Sequence, residues 1–421
     1  MRKYRYRATH LQQVNWERVR EQAAAEQVVL AIDVAKEDMV AALLRPDRTV
    51  LETVKWRHPF EARALIERLL TLGVERLQAV LEPSGTYGDP LRGLLAAAGV
   101  AVSRVSPKRV HDAAEVYDGV PSLHDAKAAY VIGRLHLEGV SRPWVEPSAQ
   151  RRALRAELGL LDWYQERYQV GRNRLEALLA RHWPEAPYAL DLGAVSLLTL
   201  LAQYGDAAAV AAEAEAAAAL LRQSGGPGLK AAKIAALLDS ARMTVGRPCL
   251  AAERRLLQVL AAETLEARRQ CARIEQALAA QVESDAGLAR QALAVGKTTA
   301  AVLRCALGEP AGYADAQSYA KAAGLNLKER SSGKYQGQLK LTKRGPGVVR
   351  RYLYFAVLRL IARAGPAQCW YQAKVARDGG RKGKAITALM RKLAKALWHV
   401  GCGAEFDVEQ LFGVRPRAEA A

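Results

Sequence analysis

The chain has 421 residues, a 50% apolar share and a formal charge of +19, which suits two or three cored domains and excludes a disordered chain. It contains no apolar run of about 18 residues, no apolar segment behind the basic start MRKYRYRATH, and no C-x-x-C pair among five scattered cysteines. A membrane span, a secretory signal, a zinc ribbon and a disulfide framework are therefore not expected, and the cysteines read as reduced core residues of a cytoplasmic protein.

Taken in order, residues 1–26 are polar and basic, with helical potential over 14–25, and read as an N-terminal extension serving as a nucleic-acid arm. Residues 28–33 are an apolar run closed by Asp33. A second strand (38–44), the turn Arg45-Pro46-Asp47-Arg48 and a third strand (49–56) complete an antiparallel meander. An amphipathic helix (59–72) leads to a buried strand (77–82) closed by Glu82. A helix (90–98), a strand (100–105) and helices over 107–116 and 124–137 follow. Three strands and then alternating helix and strand is the order of an RNase H-like α/β domain, placed at 27–146.

The text changes over 147–285. Two long charged helices (151–181 and 251–282) carry leucines near heptad spacing. An Ala-rich stretch (206–222) and the hinge Ser224-Gly225-Gly226-Pro227-Gly228 lie between them. Antiparallel helices in a coiled coil fit this pattern, as a spacer or as a dimerisation element. The last domain (286–412) reads as mainly helical, with helices ending near 307 and covering 317–323, 348–364 and 384–400, then a tail (413–421).

Charge is concentrated in that last domain. Residues 321–395 hold nineteen Lys and Arg against two acids, Glu329 and Asp378. Such a field favours a polyanion, nucleic acid before membrane surface. Inside it lies Ser331-Ser332-Gly333-Lys334, followed by Leu341-Thr342-Lys343-Arg344-Gly345, two hydroxyls and a glycine among cations that suit work on phosphates. Lys334, Lys343, Arg344, Arg350 and Arg351 are the candidate nucleic-acid contacts. A plain surface turn is the competing reading. Gly296-Lys297-Thr298-Thr299 is not a P-loop, because Gln291 stands where its first glycine belongs, and it reads as a helix N-terminus facing phosphate. His58 and His399 read as structural, and Trp163, Tyr164 and Tyr168 as packing.

Asp33 and Glu82 each close a strand, where ligands of open α/β sheets bind. Asp125 opens a helix behind the turn Asp118-Gly119-Val120-Pro121. Three such acids can hold a divalent cation through oxygen, though each alone could be a cap or a surface charge.

Three pieces of this text resemble a known family: Ile32-Asp33-Val34-Ala35-Lys36, Leu81-Glu82-Pro83-Ser84-Gly85-Thr86-Tyr87, and the stretch from Asp118 to Lys127. They are similar to the DEDD domain of RuvC-like transposases of the insertion-sequence 110 family, the bridge-RNA-guided recombinases. The second half of that family is matched by Gly296-Lys297-Thr298-Thr299, Tyr319 to Leu325, Ser331-Ser332-Gly333-Lys334, Thr342-Lys343-Arg344-Gly345 and Arg350-Arg351-Tyr352-Leu353. The resemblance covers about residues 27–410. It implies that Asp33, Glu82 and Asp125 are catalytic and bind Mg²⁺, with Mn²⁺ as a substitute. It also implies that Ser332, or alternatively Ser331, is the nucleophile forming a phosphoserine link to DNA.

The chain departs from the family at one acid. The fourth carboxylate belongs three residues after the third, where Ala128 stands. If Asp125 is instead the fourth, Ser122 holds the third position. His124 and Asp112 are the nearby substitutes. The partners implied are donor and target DNA, a non-coding guide (bridge) RNA and further copies of the chain in a homodimer or homotetramer, with no membrane and a bacterial, nucleoid-associated location. A metal-dependent structure-specific nuclease and a weakened nucleic-acid-binding relative are the alternatives.

Overall fold

In the computed structural model, residues 6–23, 27–83, 85–329, 337 and 339–413 are described. The chain divides between Glu146 and Pro147 into two compact units. The first is a mixed α/β sheet domain and the second is helical.

In the first unit the strands are β1 (Thr9–His10), β2 (Gln27–Asp33), β3 (Asp38–Leu44), β4 (Val50–Arg57), β5 (Arg76–Leu81), β6 (Ala101–Arg104) and β7 (Arg142–Pro143). They form one sheet in the order β1-β4-β3-β2-β5-β6-β7. The meander β2-β3-β4 is antiparallel, whereas β2, β5 and β6 run parallel. The helices are α1 (Trp16–Ala23), α2 (Ala62–Leu70), α3 (Asp89–Ala97), α4 (Pro107–Asp112) and α5 (Asp125–Leu137). Side chains alternate across β2. Val28, Leu30 and Ile32 share one core with α1, α2 and α3, and Val29 and Ala31 share the other with α4 and α5. A strand covered on both faces reads as the unbroken apolar run seen in the sequence.

The N-terminal segment differs from the expected arm. β1 pairs in parallel with β4 through Thr9 and Val54, and Leu11, Val14, Val19 and Ala23 are buried in the core beneath it. These few apolar residues share one face of a polar segment, which the average composition conceals.

In the second unit, α6 (Ala149–His182) and α12 (Ala251–Glu283) run antiparallel. Arg167 pairs with Glu263 at 2.6 Å and Arg181 with Glu253 at 3.7 Å, while Leu154 and Leu161 meet the other end of α12 at Ile274 and Leu278. Ser148 caps α6, accepting a hydrogen bond from the Arg151 backbone N–H. The segment between the long helices is more than a hinge. It folds into α7 (Ala186–Ala189), α8 (Val195–Tyr204), α9 (Ala207–Ala212), α10 (Ala214–Gly225) and α11 (Ala231–Met243). These build a lobe around Trp183, Leu197, Leu201, Leu221 and Leu237, closed by Leu257 and Leu265 of α12.

The remaining elements are α13 (Ala286–Val295), α14 (Lys297–Leu307), α15 (Ala316–Ala322), β8 (Leu327–Lys328), β9 (Lys340–Leu341), α16 (Gly347–Ile361), α17 (Pro366–Arg377), α18 (Lys382–Gly401) and α19 (Val408–Phe412). α14, α16 and α18 pack Leu303, Leu353, Leu389 and Leu393 into the core that holds the near ends of α6 and α12.

Candidate functional site

The register of β2 and β5 sets the first part of the site. Ile32 lies opposite Leu81 in a parallel pair. The next residues, Asp33 and Glu82, therefore leave neighbouring strands side by side at the carboxyl end of the sheet. Asp125 arrives on the first turn of α5, which lies across β2 and β3. Gly133 makes that close approach possible, since a Cβ there would stand 2.5 Å from Leu44 Cδ1 and 3.0 Å from Ala31 Cβ.

The three acids share one electrostatic neighbourhood. Burial pushes Asp33 up to about 6, and the charges of Asp125 and then Glu82 push the same way. Glu82 is also raised, by burial. Like charges gathered in a partly desolvated place are what a divalent cation would relieve, and carboxylate oxygens suit Mg²⁺. The donor chemistry fits such an ion. Among the described residues, however, no three His, Cys, Asp or Glu side chains stand in a metal-ligating cluster.

The approach to Asp125 is fixed by a residue that sequence reasoning missed. Lys127 is 2% exposed, and its Nζ donates to Asp118 Oδ1 at 2.9 Å and to the Val120 carbonyl at 2.6 Å. The lysine holds the Asp118 carboxyl below the usual carboxylate range. A lysine inside the apolar run Ala126 to Ile132 was the available signal, because buried lysines are paired. Asp118 is thus committed to Lys127, and Asp112 to Lys108 one turn away on α4. His124 precedes α5, with its ring edge-on to Tyr6 at 5.8 Å. Ala128 is buried, and Ser122 is exposed in the segment before the helix. α5 therefore offers the site one acid, Asp125.

In the second unit, Ser331, Ser332 and Lys334 lie outside the described residues. Their flanks are described: β8 and β9 pair antiparallel, Leu327 with Leu341 and Lys328 with Lys340, and the serines lie between them in sequence. Lys343 adopts a left-handed backbone (φ 54°), and both Lys343 and Arg344 are exposed. Arg350 and Arg351 diverge. Arg350 Nη1 donates to the Gly345 carbonyl at 2.8 Å, whereas Arg351 Nη2 reaches Asp162 on α6 at 2.7 Å. At the start of α14, Lys297 pairs with Glu283, which draws its charge away from the helix N-terminus. Trp163 packs edge-on against Tyr164, with the Arg167 guanidinium 4.9 Å from its ring centre.

Two family models match the chain. Residues 30–184 match a transposase model of the DEDD, IS110 type, and residues 288–372 match a model described as Transposase IS116/IS110/IS902 family. Together they span more than half of the chain. No curated protein matches it. The first match contains Asp33, Glu82 and Asp125, and the second contains Ser331, Ser332 and the cations from Lys334 to Arg351.

Proposed function

Because the chain belongs to the IS116/IS110/IS902 family of transposases, we propose that it cuts and rejoins DNA through a serine nucleophile, served by carboxylates that bind a divalent cation. The gathering of Asp33, Glu82 and Asp125, with Asp33 pushed up to about 6 by burial and by the other two charges, carries this reading. Groups with strongly shifted protonation cluster at functional sites. The meander followed by parallel strands supports an RNase H-like, RuvC-like first domain. The antiparallel contact of α6 and α12 supports a coiled-coil element joined to assembly as a homodimer or homotetramer.

Asp33, Glu82 and Asp125 would hold Mg²⁺, or Mn²⁺ in its place, which when bound stabilises charge on a phosphodiester undergoing displacement. The Ser332 oxygen, or that of Ser331, forms a bond to phosphorus as the deoxyribose oxygen leaves, giving a phosphoserine link. The attack of a second strand's hydroxyl on that link rejoins DNA and frees the serine. Lys343 and Arg344, exposed beside β9, hold the strand by its phosphates, as does Lys334. Pairing of donor and target with a bridge RNA sets sequence choice in this reading.

The test is a denaturation-resistant protein–DNA adduct, formed with Mg²⁺ and co-purified RNA. Ser332→Ala is expected to abolish it while DNA binding stays within about twofold. An undiminished adduct in the Ser331→Ala, Ser332→Ala double variant would overturn the serine assignment. Strand cleavage with no adduct in the unaltered chain would point to a hydrolytic nuclease.

A further inference from the structure

Arg350 and Arg351 are consecutive residues in one field of cations, and by charge alone they are equivalent. Successive helix positions point about 100° apart, so they meet different surroundings. Arg351 turns outward to Asp162. Arg350 turns back toward the start of its own helix. Its Nη1 donates to the Gly345 carbonyl at 2.8 Å and lies 3.4 Å from the Pro346 carbonyl and 3.5 Å from the Ala323 carbonyl.

Those carbonyls belong to two stretches of chain that meet under the β8–β9 hairpin. One is the turn leaving α15, and the other is the turn entering α16. Gly324 is left-handed (φ +75°), and a Cβ there would stand 2.5 Å from Arg350 Nη1. A Cβ on Gly345 would overlap the Ala322 carbonyl and stand 2.6 Å from the Gly324 nitrogen. Backbone therefore packs on backbone, with the guanidinium laid across the seam. From there the chains run outward as a ladder. The Thr342 N–H donates to the Asn326 carbonyl at 2.8 Å, and the two strand pairs follow. Lys343, in the same turn, holds a left-handed conformation that a lysine rarely adopts, and such strain persists only where surroundings over-determine it.

We propose that Arg350 is a positioning residue: its guanidinium clamps the two turns at the base of the β8–β9 strand pair, between whose strands the serines lie in sequence, rather than gripping DNA phosphate. The consequence for catalysis rests on the serine reading above. A pair of two-residue strands has little stability of its own, so the β8–β9 pairing depends on what fixes its base. A displacement of about 1 Å at a reacting group costs up to about 10²-fold in rate. Lysine cannot substitute, because its flexible ammonium lacks the rigid guanidinium plane that sets the one donor nitrogen, Nη1, between the carbonyls of both turns. A phosphate contact would behave in the opposite way, since lysine serves well there.

The full chain is tested as Arg350→Lys, Arg350→Ala and Gly324→Ala, with Arg344→Ala as the phosphate-contact control. Three quantities are measured: the rate of adduct formation at saturating DNA, the slope of log affinity against log salt, and trypsin cleavage after Lys328 and Lys340. Arg350→Lys and Arg350→Ala are both expected to slow adduct formation about 10–100-fold and to speed trypsin cleavage, with the salt slope unchanged. Arg344→Ala is expected to lower that slope by about one. Gly324→Ala keeps Arg350 but crowds its Nη1, so it should reproduce the defect even if Arg350→Ala folds poorly. Full rescue by Arg350→Lys, or a salt slope lowered by about one in Arg350→Ala, would overturn the proposal. If the unaltered chain forms no adduct, the serine reading fails, and trypsin still decides the clamp: unchanged cleavage in Arg350→Lys rejects it.

Discussion

At Asp33 the fold accepts an electrostatic cost that folding alone does not require. The carboxyl titrates near pH 6 instead of at its ordinary 3.8, chiefly through burial and then through Asp125 and Glu82. A raised folded-state value means that the folded chain holds the proton more tightly than the unfolded chain. The contribution to stability is fully present below about pH 4 and is lost as pH rises through about 6. At neutral pH the ionised group therefore opposes folding. Two decades of proton affinity would carry about 2.7 kcal/mol in a fully shielded place, and partial exposure cuts that to about 1 kcal/mol. Asp33→Asn, unfolded by denaturant in a metal chelator, should be more stable than the parent by about 1 kcal/mol at pH 7 and no more stable at pH 4. Added Mg²⁺ should close the gap at pH 7 by stabilising the parent alone. Equal stabilities across the whole range would mean that the folded chain does not hold the Asp33 carboxyl above its ordinary range.

At the scale of elements, α6 carries its own comparison. A Cβ on Gly159 meets nothing within 4 Å, but one on Gly171 would overlap the Thr264 hydroxyl of α12. Gly159→Ala should stabilise the chain by roughly 0.5–1 kcal/mol through helix propensity. Gly171→Ala should destabilise it by about 1–3 kcal/mol, because the long helices must move apart. Thermal midpoints shifting in the same direction would refute that contact. The sequence shows both glycines and neither difference, since close approach is a tertiary fact. Legibility follows the same line elsewhere. β2, β3 and the end of β5 could be read because strands buried on both faces are apolar runs, whereas β4 and β6 could be read from the turns and helices that bound them. β1 and β7, two residues each, are too short for any period. The lobe of α7–α11 could not be told from a hinge, because its Ala-rich helices show no stripe that names a partner. Asp33, Glu82 and Asp125 could be picked out as acids closing strands or opening a helix. The buried Lys127–Asp118 pair and the divergence of Arg350 from Arg351 could not, because each depends on what faces the side chain.

Over the whole molecule, charge and carboxylates are divided between the two units. Residues 1–146 carry twenty-one Lys and Arg against nineteen Asp and Glu, whereas 147–421 carry forty-one against twenty-four. The acids gathered at the end of the sheet thus sit in a nearly neutral unit, and the excess of cations belongs to the helical one. Neutralised phosphates release counterions, so affinity that comes from cations falls steeply with salt. Each unit has its own apolar cores, so the two can be prepared as fragments. The fragment 147–421 should bind duplex DNA and lose affinity about 10³-fold between 50 and 200 mM salt, the response of roughly six neutralised phosphates. The fragment 1–146 should bind weakly, with little dependence on salt. Within 147–421 the response should reside in residues 321–395, which hold nineteen of its cations and two of its acids. Replacing Lys343 and Arg344 together by Ala should lower the slope by about two, because both side chains are exposed. Equal salt slopes for the two fragments would mean that the distribution of charge along the chain does not decide where DNA is held.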